Sequence, residues 1–393
     1  MKKRVAIINS VYSKGSTGRI CNDLSDFLMH NNFECITFYG RDNVNKPNSV
    51  YFGSKIDNYH HFLNTRLFGG HGLYSTRKTK KLLKLLDDFN ADLFILNNLH
   101  GYYLNYKLLL DYISKTDKPV VLVAHDCWPF TGHCAHFSYI NCNQWKSKCH
   151  RCKLIKSYPK SLLWDNVSHN FIQKKHSFNS IKNMYIVCPS KWMSSLVSKS
   201  FLQSKQSFVI NNGIDISKFQ KKPGLFKEKY NVDGYHLILS VAFVFNKMKG
   251  IDDVIKLASI IPENYRIVIV GKTHVSINFP DNIIHLNQTE DIDELIDIYS
   301  SCDVLFNPTY EDTFSNVNME ALCCGLPVVC YRTGGAYEMV DQDFVVDQGD
   351  LKKSLELIKA IVEKKINYNF RDRVLFSKDE TYRKYLELIN TLL

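Results

Sequence analysis

The sequence predicts an α/β protein made of two doubly wound parallel-sheet domains. Two observations carry this. Apolar runs of about four to six residues, bounded by turn residues and separated by helical segments, occur in two series, as in parallel sheets buried on both faces. A turn-rich stretch, 211–224, lies between the series and reads as a linker.

In the first series the strands fall over 4–9, 33–39, 93–97, 120–124 and 185–188. A loop over 10–18 follows the first strand, and a helix through Cys21, Leu24, Phe27 and Leu28 comes after it. The second series places strands over 236–241, 266–270, 283–286, 304–307 and 328–330. Its helices cover 251–260, 292–301 and 317–324, again in β-α-β order. Tyr382, Tyr385, Leu386, Ile389 and Leu392 mark a closing amphipathic helix. The expected organisation is a first domain over 1–207, a second over 208–375, and a closing helix over 376–393 with room to cross back to the first domain.

Composition narrows the class. Hydrophobic residues make up 45% of the 393 residues and charged residues 23%, which suits a soluble globular chain. No apolar run approaches the roughly 20 residues that span a bilayer. The start, basic and then apolar over about five residues, reads as a first strand and not as a signal peptide. With no export signal, the twelve cysteines point to a reducing, cytoplasmic home. The net charge of +11 favours anionic partners, but no nucleic-acid-binding module is present. In 77–86, lysines and leucines fit opposite faces of a helix. Such a helix either lies on an anionic membrane or packs by its leucines.

Ligands of doubly wound sheets bind beyond the carboxyl ends of the strands, and with two such domains the expected site is a cleft that they face. Lys247 and Lys249 follow one strand and precede a helix N-terminus, where phosphate is favoured. Glu311, Asp312, Phe314, Ser315, Asn316 and Val317 follow another, and seven residues separate Asp312 from Glu320. With a helix starting near Ser315, Asp312 sits in a loop where it can accept from sugar hydroxyls. Glu320 lies on the helix, where it can hold a ribose, and free N–H groups at the helix start can meet phosphate. Read alone, the segment is equally a capped helix. Gly334 and Gly335 follow a further strand, where backbone must come close to something or simply turn. Asp291 and Asp293 resemble a metal-holding acidic pair, but a helix start explains them better.

In order, Lys249-Gly250, Gly271 after a strand, Asp312 and Glu320, Gly325-Leu-Pro-Val-Val and Gly334-Gly335 with Glu338 resemble the family 4 glycosyltransferases. These have the GT-B fold and retain the anomeric configuration. The segments 11–19, 98–105 and 125–132 are similar to a bacterial branch that builds surface polysaccharides: exopolysaccharide, capsule or lipopolysaccharide. The resemblance implies that Lys249 holds the donor diphosphate, Glu320 the ribose and Asp312 or Glu311 the sugar. The backbone from Phe314 to Val317 would touch sugar and phosphate. Gly15 and Gly18 would let the first loop approach donor and acceptor, and His125 would lie near the transferred sugar. His100 and Asp126 are acceptor-side candidates. Where the family often carries an arginine, Val244 stands here, and Lys247 supplies charge without a bidentate fork.

The implied activity is transfer from a nucleotide-diphosphate sugar to a glycan or lipid-linked glycan, without a metal, at the inner membrane face. The alternatives are a soluble acceptor, or a GT-B epimerase, phosphorylase or nucleotide-sugar-binding protein. Separately, Cys134, Cys142, Cys149 and Cys152 lie in a cysteine-rich loop over 127–152. Their spacing suits a structural zinc, with His133, His136 or His150 as substitute ligands. A reduced or disulfide-pinned loop is the other reading.

Overall fold

The computed structural model describes residues 2–44, 46–273 and 277–393. The chain forms two compact units, Met1–Ile210 with Tyr382–Leu393, and Asn211–Thr381.

In the first unit the order is β1 (Arg4–Asn9), α1 (Gly15–His30), β2 (Glu34–Tyr39), β3 (Ser49–Tyr51), α2 (Lys55–Phe68), α3 (Thr76–Phe89), β4 (Leu93–Leu96) and α4 (Tyr106–Ile113). It continues with β5 (Val120–Val123), α5 (Val167–Asn179), β6 (Met184–Cys188), α6 (Lys191–Val197) and β7 (Gln206–Val209). These strands form one sheet in the order β3-β2-β1-β4-β5-β6-β7. Every pairing is parallel. The strand order reverses between β1 and β4, which is the switch point where such sheets open for ligands.

The second unit runs α7 (Phe226–Lys229), β8 (His236–Phe245), α8 (Ile251–Ala258), β9 (Tyr265–Thr273), β10 (Ile283–Leu286), α9 (Ile292–Ser301), β11 (Val304–Asn307), α10 (Asn316–Cys323), β12 (Val328–Tyr331), β13 (Val345–Val346) and α11 (Leu351–Val362). Its parallel sheet has the order β10-β9-β8-β11-β12-β13, with the switch point between β8 and β11. The central strands are fully buried: Leu237, Ile238 and Leu239 pack with Val304, Leu305 and Phe306.

Three expectations change. The loop placed over 10–18 ends early, because α1 starts at Gly15. The first turn of a helix lacks internal N–H partners, so glycine costs little there, and the Gly18 carbonyl accepts the Ser13 N–H at 2.9 Å. Residues 211–224 are not an open linker. Phe219 is buried, the Ile214 N–H bonds to the Phe376 carbonyl, and Arg373 donates to the carbonyls of Ile216 and Phe219. Strands β8 and β9 run on past their expected ends, so Gly271 lies inside β9. There a Cβ would sit 1.9 Å from the Ala242 carbonyl oxygen, and only glycine fits.

The closing helix α12 covers Lys378–Leu392. Its Tyr382, Tyr385, Leu388 and Ile389 pack with Val5, Cys21 and Leu24 in the core of the first unit. In α3 the leucines face inward: Leu82 and Leu86 are buried, while Arg77, Lys80, Lys81 and Lys84 are exposed. That is the packed reading of 77–86. Among the described residues, no helix is long and apolar enough to cross a membrane.

Candidate functional site

At the switch point of the second unit, two loops close on each other. After β8, Asn246 caps the turn that carries Lys247 and Lys249 by accepting the Lys249 N–H at 3.1 Å. The Tyr310 N–H, in the loop after β11, donates to the Met248 carbonyl at 2.8 Å. This contact brings Lys249 to the second loop. Its Nζ lies 3.0 Å from Asp312 Oδ2, 3.3 Å from the Glu311 carbonyl oxygen and 3.5 Å from Thr309 Oγ1. Lys249 is about one-third exposed and Asp312 about one-fifth, so the pair is reachable from solvent. Lys247 is more exposed and makes none of these three contacts.

The loop then enters α10. Ser315 is the N-cap and its Oγ accepts the Asn318 N–H at 3.3 Å. Asn307, at the end of β11, donates to Ser315 Oγ and to Asn318 Oδ1 and so fixes the cap. Asp312 Oδ1 accepts the Phe314 N–H at 3.3 Å, and the Phe314 side chain is buried. Asn316 and Val317 open the helix, half-buried.

Gly334 and Gly335 come close to this loop from the strand β12 side. The Gly335 N–H donates to the Asp312 carbonyl at 3.2 Å. At Gly334, φ is +54° and a Cβ would fall 1.8 Å from that same carbonyl oxygen. Glycine is therefore needed at 334 so that backbone can pack on the Asp312 loop. Glu320, further along α10 and half-buried, receives the Tyr299 hydroxyl at 3.0 Å. Glu311 is buried, whereas Asp312 reaches solvent. Asp291 caps α9 by accepting the Glu294 N–H, and Asp293 pairs with Lys222, so neither is set up as a metal ligand.

The first unit carries a separate polar group at the ends of β1, β4 and β5. Asn9, Asn97 and His125 stand on these neighbouring strands. Asn9 Oδ1 accepts the Asn98 N–H, and the His125 Nε2–H donates to Asn97 Oδ1 at 2.8 Å. Burial lowers the His125 pKa to about 4, so the ring is neutral at pH 7. The Asn97 Nδ2 is buried with no acceptor among the described residues. Beside this row, the His100 Nε2–H donates to Asp126 Oδ2 at 2.7 Å, and the Tyr158 hydroxyl donates to His100 Nδ1 at 2.9 Å. Asp126 Oδ1 accepts the Trp128 N–H. Burial alone would raise the Asp126 pKa. The His100 ring outweighs it and holds the carboxyl at about 2. His71 accepts the Trp128 indole N–H at 3.0 Å and lies against Tyr102 and Tyr158. Sequence reasoning missed Asn97, His71 and Tyr158. Only the fold brings them to His125 and His100. Gly15 and Gly18, expected in a loop, lie in the first turn of α1.

Cys134, Cys142, Cys149 and Cys152 line one cavity of about 430 Å³, together with His133. All four are free thiols, and the Gly132 N–H points at Cys149 Sγ at 3.4 Å. Yet among the described residues no three His, Cys, Asp or Glu side chains are grouped to hold a metal ion, so the expected zinc cage is not preformed.

Two doubly wound parallel sheets, with a lysine held over a helix start at the second switch point, define the GT-B class of glycosyltransferases. The comparisons agree with that class and refine it. Residues 17–218 match the model of Glycosyltransferase Family 4, and residues 223–374 that of Glycosyl transferases group 1. The chain belongs to Glycosyltransferase Family 4.

Among its relatives is the capsular polysaccharide biosynthesis glycosyltransferase CapM of Staphylococcus aureus. It is 28% identical over 52% of this chain and 59% of CapM, so the match spans under two-thirds of that protein. The putative colanic acid biosynthesis glycosyl transferase WcaC of Escherichia coli is 22% identical over 75% of each chain. Among solved structures, sucrose-phosphate synthase from Thermosynechococcus elongatus has a TM-score of 0.68 at 14% identity, over 100% of this chain and 99% of its own. Anabaena HepE in complex with UDP has a TM-score of 0.68 at 14% identity, over 99% and 100%.

Proposed function

We propose that this chain is a retaining glycosyltransferase that moves a sugar from a nucleoside-diphosphate donor to a growing surface-polysaccharide glycan. The observation that carries the reading is Lys249. It is fixed by its turn at the switch point and aimed at the loop that opens α10. Breaking the C1–O bond of a glycosyl diphosphate leaves an anionic diphosphate and an oxocarbenium-like sugar. A fixed cation and the positive end of the α10 dipole stabilise that leaving group without a metal.

In the resting protein the Asp312 carboxylate holds Lys249. An arriving diphosphate would take Lys249 over and free Asp312 for a sugar hydroxyl. Glu311 is buried, which favours Asp312 for that contact. Glu320, oriented by Tyr299, would accept the ribose hydroxyls. Anabaena HepE was solved with UDP and with UDP-glucose, which supports this donor class. The acceptor hydroxyl would attack from the face the diphosphate leaves, and its proton would pass to the departing phosphate oxygen. The new C1–O bond then keeps the original configuration.

On the acceptor side, His125 donates through Nε2, and its pKa, lowered to about 4 by burial, makes it a weak base, so its part is to orient a sugar. Asp126, His100 and Tyr158 form a hydrogen-bonded chain that would present the Tyr158 oxygen to a glycan hydroxyl. The likeness to the capsular polysaccharide glycosyltransferase CapM and the putative colanic acid transferase WcaC supports a capsular or exopolysaccharide-type glycan, here read as lipid-linked and met by a peripherally bound enzyme at the cytoplasmic membrane face. The transfer needs no metal. One equivalent of zinc per purified chain would mean that the thiol loop closes its sulfurs on an ion as it binds.

The test is a thermal-shift screen against nucleotide sugars, followed by nucleotide release from the stabilising donor. A ligand bound only by the folded protein must raise its apparent stability. No stabilisation by any nucleoside diphosphate or its sugars would sink the reading.

A further inference from the structure

Helix α2 is built inside out. Its fully buried residues are His61 and Thr65, both polar. His61 is fixed there by the Gly72 N–H at Nε2 and by Ser75 Oγ at Nδ1. Ile56, Tyr59, Leu63 and Leu67, at a spacing that lines one helix face, are exposed, and Ile56 is 72% open to solvent. Surface helices of globular proteins show the reverse pattern, as α3 does next in the chain.

A second apolar segment extends this face. Leu162, Leu163 and Trp164 are exposed, Leu163 at 69% and Trp164 at 61%. They are bound along the C-terminal half of α2. The Leu162 N–H donates to the Arg66 carbonyl at 2.7 Å, Asn166 Nδ2 to the Phe68 carbonyl at 2.6 Å, and Asn170 Nδ2 to the Gly69 carbonyl at 2.7 Å. Ser161 Oγ donates to the Trp164 carbonyl and stiffens the tip. The loop tip therefore adjoins the C-terminal end of the helix that carries the stripe, and the two segments together expose more apolar side chain than scattered surface leucines would.

The charge around it selects the occupant. Segments 55–68 and 151–166 together carry Lys55, Arg66, Arg151, Lys153, Lys156 and Lys160 against only Asp57 and Asp165. Asp165 is exposed but engaged, accepting the N–H groups of Cys152 and Val167. Lysines and arginines on segments that carry exposed leucine and tryptophan are attracted to an anionic membrane surface. Leucine and tryptophan beside lysine and arginine suit the headgroup region of an anionic bilayer.

We infer that the outer face of α2, with the 162–164 tip, docks on an anionic lipid bilayer. This deepens the lipid-linked acceptor reading by naming the surface that meets the membrane. It relocates the membrane contact from α3, whose leucines are used in the core.

The experiment uses the full chain and vesicles of phosphatidylcholine, with and without phosphatidylglycerol, at moderate salt. Sedimentation is expected to recover the protein with the anionic vesicles only. Leu163→Glu with Trp164→Glu, and independently Leu63→Glu, are expected to lower the bound fraction about tenfold. Brominated lipid is expected to quench tryptophan emission in the parent chain and to lose that effect in Trp164→Phe.

Lys80→Glu with Lys84→Glu on α3 is the contrast. If these abolish binding while the α2 variants do not, the inference falls. It falls too if no vesicle is bound, or if light scattering shows a dimer that Leu63→Glu dissociates. The thermal shift given by UDP is read on the parent chain and on every variant. In the α2 variants it is expected to persist while vesicle binding falls. If the parent chain shows the shift but binds no vesicle, this inference fails and the donor reading stands.

Discussion

Replacing Lys249 with alanine removes the cation from the second switch point. The structure separates its effect on activity from its effect on folding. Lys249 Nζ and Asp312 Oδ2 are 3.0 Å apart, with side chains 36% and 21% exposed. A pair so open to water contributes about 1 kcal/mol or less to stability. Loss of one fixed electrostatic donor to a developing anion raises a barrier by about 2–4 kcal/mol. That corresponds to about 30-fold to about 1,000-fold in rate. The assay is nucleotide release from the donor that the thermal screen selects, with UDP-glucose as first probe, beside calorimetric unfolding of the same preparation. The expected result is a large loss of turnover with a nearly unchanged Tm. Lys249→Arg should keep part of the rate. Turnover within about threefold of the parent, or loss of activity only together with loss of fold, would refute the leaving-group role.

Other outcomes follow from the same geometry. Glu320→Ala should weaken UDP binding by about 1.5–3 kcal/mol, the worth of hydrogen bonds to a charged group. Titration with inorganic pyrophosphate should show no such loss. Gly334→Ala, whose Cβ would lie 1.8 Å from the Asp312 carbonyl oxygen, should abolish the UDP-induced thermal shift; an intact shift would show that the loop is not needed. His125 and His133 have pKa values lowered to about 4, first by burial, so each is neutral when folded and binds its proton more readily when unfolded. The unfolded state then takes up more protons below about pH 6.5, so stability is full above that pH and declines as pH falls toward 4. At pH 5 each histidine should remove about 2 kcal/mol. Unfolding followed from pH 8 to pH 5 checks this, and a flat Tm over that range would contradict it.

Central strands were the easiest part of the fold to read, because a strand buried on both faces is written as an unbroken apolar run. Residues 4–9 and 304–307 came out with their observed bounds. The missed strands β3, β7 and β13 are edge or near-edge pieces of two to four residues, where partial exposure and shortness erase that signal. At the donor site, Lys249, Asp312 and Glu320 were visible as residues in motif order, but their relation was not. The 3.0 Å contact of Lys249 with Asp312 depends on β8 and β11 being sheet neighbours, although more than sixty residues of chain separate the two side chains. Tyr158 stands at His100 only once the long loop after β5 has folded back, and His71 reaches the same ring from the segment between α2 and α3. No local pattern encodes that return. The inverted face of α2 was hidden for another reason: a periodic apolar stripe looks the same in sequence whether it turns inward or outward.

The tail of α12 has a consequence for how the protein is made. Tyr382, Tyr385, Leu388 and Ile389 complete a core whose other walls include Val5, Cys21 and Leu24. On the ribosome those walls emerge first and wait, uncovered, while residues 211–381 are synthesised. The second unit can finish folding in that interval, since its own sheet needs nothing from the tail. The first unit cannot. Its assembly waits for residues 382–392, and a chain cut short after residue 381 would leave a greasy furrow beside α1 for chaperones and proteases to find.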